Sequence, residues 1–212
     1  MSEPYTLLFG LSANPPTHLG GHAGIVRWAA TKERFDELDA PVREVWVLPV
    51  YRHAFADKRD MPSFAHRFAM AKLAFLDLPG VPADRVQVRD DERVLCEAQP
   101  GERLGTIDLV RYLEAEHPGR RFALLLGEDT YADLKAGRWK ASAELRARAR
   151  VVVVPRVGVD AGVDRIDAPR LTAISSSAVR ASTDLAFVEA ALRPEVLAYV
   201  VRHGLYAFGA RD

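Results

Sequence analysis

The residues best suited to chemistry crowd into one stretch, Leu7–His22, which reads LLFGLSANPPTHLGGH. An apolar run ends at Gly10, and Ser12, Asn14, two prolines, Thr17, His18, Gly20, Gly21 and His22 follow before a helix-like pattern begins. A strand that passes through a glycine-bearing loop into a helix turns backbone N–H groups and the positive end of a helix dipole toward one point. Parallel α/β sheets hold phosphate in this way. The two histidines add side-chain donors for phosphoryl oxygens. The plainer alternative is a turn between a first strand and a first helix.

A second polar group, Ser175, Ser176 and Ser177 with Arg180, opens a short helix far along the chain. Hydroxyls, the open N–H groups of a first helical turn and the helix dipole all favour an anion there. Arg180 adds a planar, permanent charge that matches phosphate oxygens. The alternative is that Ser175 only caps the helix and Arg180 is solvated. Between the two groups lie Lys58, with Arg59 and His53 as rivals in a polar loop, and Asp129, just past an apolar run.

These groups need a frame to hold them. Glu44–Val50, Val86–Val88, Phe122–Leu126 and Val151–Val154 are short apolar runs rich in branched residues and read as strands after Leu7–Phe9. Leu171–Ile174 reads as a last strand. Helical spacing runs from His22 to about Leu38. A stripe of Phe64, Phe68, Ala71 and Phe75 follows Ser63, a capping residue. Further helices are expected from Thr106 or Ile107 to about Pro118, over Ala141–Ala149, and after Pro194 up to Gly204. Asp90–Gly105 reads as irregular and charged, and Val157–Pro169 as a loop.

Alternating strands and helices imply a doubly wound parallel sheet with helices on both faces, an α/β fold. Such sheets bind ligands at the carboxyl ends of their strands. Asn14 to His22, His53 to Arg59, Gly127 to Asp129 and Ser175 to Arg180 all fall at such ends.

The 212 residues suit one domain, 1–212, with a C-terminal helical portion over about 175–212. Basic and acidic residues balance at 29 each, which gives no general attraction to nucleic acid or anionic membrane. The single cysteine, Cys96, excludes an internal disulfide. There is no signal-peptide pattern and no apolar stretch near the ~20 residues of a membrane span. A cytoplasmic protein is expected, and an oligomer is compatible with it.

GLSANPPTHLGGH and ISSSAVR together resemble the nucleotidyltransferase superfamily of Rossmann-like enzymes, whose signatures are an (H/T)-x-G-H loop and an ISS-(S/T)-x-(I/V)-R segment. VWVLPVYRHAFADKRDMPSFAHRFAMAKLAF, GTIDLVRYL, LLLGEDTYADLKAGRWKASAEL, VVVVPRVG and ALRPEVLAYVVRHGLY are similar to successive segments of nicotinate (nicotinamide) mononucleotide adenylyltransferases. The resemblance thus covers most of the chain. It implies a Rossmann-like doubly wound parallel sheet and direct attack of a mononucleotide phosphate on the α-phosphorus of ATP. It also implies Mg²⁺ riding with the ATP phosphates.

By resemblance, His22 is the second histidine of the loop and contacts the α-phosphate. Thr17 is the first motif residue, with His18 as its rival. The family spaces these two positions three apart, whereas Thr17 and His22 are five apart, so the loop carries two extra residues. Ser12 offers its backbone N–H to phosphate, and Asn14 braces the loop or touches substrate. Ser175, Ser176, Ser177 and Arg180 face the β- and γ-phosphates, and Lys58 reaches phosphate from its loop. Asp129 bonds the adenosine ribose or caps a helix. Thr106 lies near the pyridine substituent. Trp139 stacks on the pyridine or packs between helices.

The partners implied are ATP and a pyridine mononucleotide. Two alternatives stay open: another nucleotidyltransferase with a different acceptor, and a catalytically silent nucleotide-binding protein. The choice between nicotinate and nicotinamide is also open.

Overall fold

The computed structural model describes residues 2–52, 61–155, 169, 171, 172 and 174–208. Five strands, β1 (Tyr5–Leu11), β2 (Val42–Pro49), β3 (Val86–Val88), β4 (Arg121–Gly127) and β5 (Arg150–Val154), form one sheet in the order β3-β2-β1-β4-β5. All four pairings are parallel. The chain builds outward from β1 to β3, then crosses back to lay β4 on the other side of β1. The strand order therefore reverses between β1 and β4, where a parallel sheet leaves a crevice at its carboxyl edge.

Nine helices are described: α1 (His22–Thr31), α2 (Phe64–Phe75), α3 (Asp91–Ala98), α4 (Thr106–Glu116), α5 (Glu128–Lys135), α6 (Ser142–Arg148), α7 (Ser176–Ala181), α8 (Leu185–Ala191) and α9 (Pro194–Arg202). Successive strand side chains point to opposite faces, and the core divides accordingly. Leu7, Phe9, Val45, Val47 and Leu125 pack with α1, α2, α7, α8 and α9. Leu8, Trp46, Leu48, Leu124 and Leu126 pack with α3, α4, α5 and α6. The sheet is thus doubly wound, as the alternation of elements implies, and the C-terminal helices share the core of α1 and α2. No helix among the described residues is long and apolar enough to cross a membrane.

Four expectations are corrected. Helix α1 stops at Thr31 rather than near Leu38. The Arg85 guanidinium closes the exit from it by donating to the Ala30, Lys32 and Val42 carbonyls at 3.0, 2.6 and 3.1 Å. Residues 91–98 form α3 instead of an irregular segment. Its charges pair locally, Arg93 with Asp90 and Glu97, and Arg89 with Asp91, which hides a helix whose apolar face is narrow. Helices α5 and α8 are additional, α8 being capped by the Asp184 carboxylate on the Ala186 N–H at 3.0 Å.

The fourth concerns the strand expected over Leu171–Ile174: residues 171, 172 and 174 carry no strand. There the Thr172 N–H and hydroxyl both donate to the Gly20 carbonyl, at 2.9 and 3.1 Å, so this segment pairs with the loop before α1. Of the expected loop Val157–Pro169, only Pro169 lies within the described residues.

Candidate active site

The crevice at the strand reversal is a cleft. Its floor is the carboxyl ends of β1 and β4, from Phe9 to Leu11 and from Leu125 to Gly127. Its walls carry Ser12, Asn14, Thr17, His22, Asp129, Ser175, Ser176, Ser177 and Arg180. Two loops more than 150 positions apart therefore meet across one opening, as Ser176 Oγ donating to the Pro15 carbonyl at 2.8 Å demonstrates.

The first loop absorbs its two extra residues as a turn. The Gly21 N–H returns to the His18 carbonyl at 2.8 Å, and the Ala23 N–H to the Thr17 carbonyl at 3.1 Å. Thr17 and His22 are thereby brought together. The His22 backbone N–H donates to Thr17 Oγ1 at 3.0 Å, and Oγ1 stands 2.8 Å from His22 Nδ1. The Thr17 backbone N–H also points at Nδ1, at 3.2 Å. A backbone amide can only donate, so Nδ1 is an acceptor and the neutral ring carries its proton on Nε2. Close approach requires glycine at Gly21, where a Cβ would stand 2.2 Å from Thr17 Oγ1.

His18 is not brought to the cleft. Its N–H donates to the Ala191 carbonyl at 2.8 Å, toward α8, and its Nδ1 is buried with no partner among the described residues. Burial, aided by the Arg193 charge, holds its imidazole below the usual histidine range.

The segment 12–15, backbone and Asn14 side chain together, is held by side chains from three other parts of the chain. Arg67, 2% exposed on α2, donates to the Ser12, Val50, Tyr51 and Pro62 carbonyls at 2.9, 2.5, 3.1 and 3.1 Å. Arg180 donates to the Asn14 carbonyl at 2.6 Å and to Ser177 Oγ at 3.1 Å. The Tyr206 hydroxyl donates to Asn14 Oδ1 at 2.8 Å. The Asn14–Pro15 peptide is cis. Ser175 caps α7 by accepting the Ala178 N–H at 3.1 Å while also lining the cleft, so the cap and the cleft wall are one residue.

Asp129 lies in the first turn of α5 at the end of β4, where its Oδ1 accepts the Thr130 N–H at 2.9 Å. Thr106 and Trp139 do not line this cleft. Thr106 begins α4, on the opposite face of the sheet from α1. Trp139 is half-buried against the core of that face. Their segments run side by side: Lys140 bonds Asp108 at 2.8 Å, and a Cβ on Gly105 would stand 3.1 Å from Lys140 Cβ. Lys58, with its rivals His53 and Arg59, lies outside the described residues.

Arg67, Thr172 and Tyr206 are contributors that sequence reasoning did not assign to the site. An arginine on the buried side of α2, beside Met70 and Ala71, is the one local signal among them. Thr172 and Tyr206 carry none, because their partners lie 152 and 192 positions away.

The cytidylyltransferase-like family matches residues 8–182. A probable nicotinate-nucleotide adenylyltransferase of Anaeromyxobacter sp. (strain K) is 34% identical over 94% of this chain and 95% of its own length. One from Myxococcus xanthus is 30% identical over 94% and 93%. Among solved structures, the Plasmodium falciparum nicotinic acid mononucleotide adenylyltransferase complexed with NaAD superposes with a TM-score of 0.75 at 20% identity. It covers 97% of this chain and 98% of that one, a likeness of fold.

Proposed function

Because the chain belongs to the nicotinate-nucleotide adenylyltransferase family, we propose that this cleft transfers the adenylyl group of ATP to nicotinate mononucleotide or nicotinamide mononucleotide, releasing pyrophosphate. The chain is a nucleotidyltransferase of NAD biosynthesis. The names of its relatives favour nicotinate mononucleotide as the acceptor. The observation that carries the reading is the Thr17–His22 pair, set in the same cleft as the α7 serines and Arg180.

A phosphate oxygen of the mononucleotide attacks the α-phosphorus in line. The bond from that phosphorus to the bridging oxygen breaks, and its electrons leave with pyrophosphate. No covalent enzyme intermediate is needed, so the protein supplies positioning and charge stabilisation. With Nδ1 occupied by the two Thr17 donors, His22 presents Nε2–H to an α-phosphate oxygen, a donor fixed before the reaction begins. Ser175, Ser176, Ser177 and Arg180 hold the β- and γ-phosphates, with Ser12 and Asn14 at the loop backbone and Lys58 as a further cation. Asp129 accepts from the ribose. We assign Thr106 and Trp139, whose segments lie side by side outside this cleft on the α4 face of the sheet, to the pyridine end of the site.

Asp129 is the one carboxylate among the described lining residues, and no group of three His, Cys, Asp or Glu among the described residues is arranged to hold a metal. That donor set fits Mg²⁺ carried in on the ATP phosphates and water rather than gripped by protein. When bound, the ion neutralises phosphate charge. We place the enzyme in the cytoplasm, working as one domain over residues 1–212.

The experiment is pyrophosphate release with ATP and Mg²⁺, with each mononucleotide in parallel. Turnover is expected, and the ratio of kcat/KM values assigns the acceptor. Protein that binds ATP and turns over neither mononucleotide would overturn the assignment. The silent-binder alternative rested on the expanded loop, and the contact between Thr17 and His22 removes that support.

A further inference from the structure

We infer that Tyr206 is a positioning residue for adenylyl transfer, acting through Asn14 from the far end of the chain; the inference rests on the function proposed above. Asn14 is 4% exposed and lines the cleft. Its amide oxygen accepts the Tyr206 hydroxyl at 2.8 Å, and its backbone carbonyl accepts Arg180 at 2.6 Å. Both acceptors are therefore fixed by residues from beyond α6. An amide whose oxygen is committed to a hydroxyl donor has only N–H donors left to give elsewhere. Those are the groups that suit phosphate or sugar oxygens. Without the hydroxyl, the terminal amide can turn over, since its last torsion has a broad, roughly two-fold profile.

The backbone around Tyr206 is bent to make this contact. After α9 the chain turns at Gly204, with φ +58°, and Tyr206 itself sits at φ +61°. The left-handed region is uncommon and unfavourable for a bulky side chain, so something nearby must hold it there. The ring of Tyr206 stacks on Phe208 at 5.6 Å, and Phe208 is itself buried in the core that contains α1 and α2. This packing fixes the ring, whereas the hydroxyl alone reaches Asn14. The Arg180 and Arg67 charges both bear on the phenol. The same two guanidiniums hold the Asn14 and Ser12 carbonyls, so Tyr206 completes one network around the phosphate loop.

The test is Tyr206→Phe, which keeps the ring and the stack and deletes the hydroxyl. The readouts are calorimetric affinity for a non-hydrolysable ATP analogue, steady-state kinetics and melting temperature. The expected result is a loss of about 3–10-fold in ATP affinity, the worth of one hydrogen bond. The KM for the mononucleotide should stay nearly unchanged, while the melting temperature falls modestly for the buried Asn14 oxygen left without its donor. In an Asn14→Ala background, Tyr206→Phe should cost nothing more, because the interaction is already gone.

Unchanged ATP affinity in Tyr206→Phe would overturn the inference, whether or not the melting temperature falls. Independent, multiplying losses in the double variant would overturn it too. Wild-type protein without turnover would sink the adenylyl-transfer assignment alone, since the ATP-affinity arm still decides the role of Tyr206.

Discussion

The Thr17 hydroxyl and His22 Nδ1 stand 2.8 Å apart although five positions separate the residues, because the intervening segment folds back on itself as a turn. Extra length in a loop is tolerated when both ends are pinned, since closure entropy rises only slowly with length. Here the ends are pinned by the Thr17 carbonyl accepting the Ala23 N–H and by Thr17 Oγ1 accepting the His22 N–H. The expansion therefore changes the rim of the cleft and leaves the pair intact.

If His22 Nε2–H stabilises the charge on the transferring phosphate, His22→Ala should lower kcat by ~10²–10³, the cost of one transition-state donor. Thr17→Val removes one of the two donors that set the ring tautomer and should lower kcat by about tenfold with little change in KM. Thr17→Ser should restore it. Steady-state kinetics of the three variants checks this, and a wild-type kcat in His22→Ala would remove the residue from the mechanism.

Gly24 is required by backbone rather than by chemistry. A Cβ there would stand 2.0 Å from the Leu19 carbonyl oxygen, which cannot swing aside as a side chain can. Gly24→Ala should destabilise the protein by about 1–3 kcal/mol. Gly10 has nothing within 4 Å of the corresponding position, so Gly10→Ala serves as the stability control. Thermal melts of both decide it; equal melting temperatures would contradict the tight packing of α1 on its own loop.

The fold was legible because strand and helix periodicity rest on local spacing, and the two polar loops that meet at the candidate site were too, because they announce themselves by composition. Ser63 capping α2 and Pro194 opening α9 were readable for the same reason. Helix α3 was not, since its buried residues are few and its charges satisfy one another. Thr172 was misread as part of a strand because its partner, the Gly20 carbonyl, is 152 positions away. Tyr206 belongs to the same class: long-range hydrogen bonds leave no trace in the neighbouring sequence.

Arg67 makes four bonds to carbonyls at the ends of β1 and β2 and beyond, and a lysine cannot replace that fork. Arg67→Lys should therefore lose stability, by roughly 2–4 kcal/mol for the carbonyls left unpaired. It should also lower kcat/KM, because Ser12 lines the cleft proposed to bind the nucleotide phosphates. Denaturant melts alongside kinetics check both. A variant with wild-type stability would show that water or backbone adjustment satisfies those carbonyls.

Glu92 gives the protein a pH dependence of defined sign. Its carboxylate accepts the Tyr51 N–H at 2.9 Å, at the exit from β2. Burial pushes its pKa from 4.5 up to about 7, against the opposing pull of that N–H and of Arg67. A carboxyl whose pKa is raised by folding binds protons more readily in the native state. Its contribution to stability is present in full below about 4.5 and is lost as pH rises through about 7. Glu92→Gln keeps an oxygen acceptor for Tyr51 and removes the charge. The variant should therefore melt higher than wild type at pH 8, by a few degrees at about 2–4 °C per kcal/mol, and the gap should close toward pH 5. A gap that is constant with pH, or that widens in acid, would mean that Glu92 is ionised in the native state throughout this range.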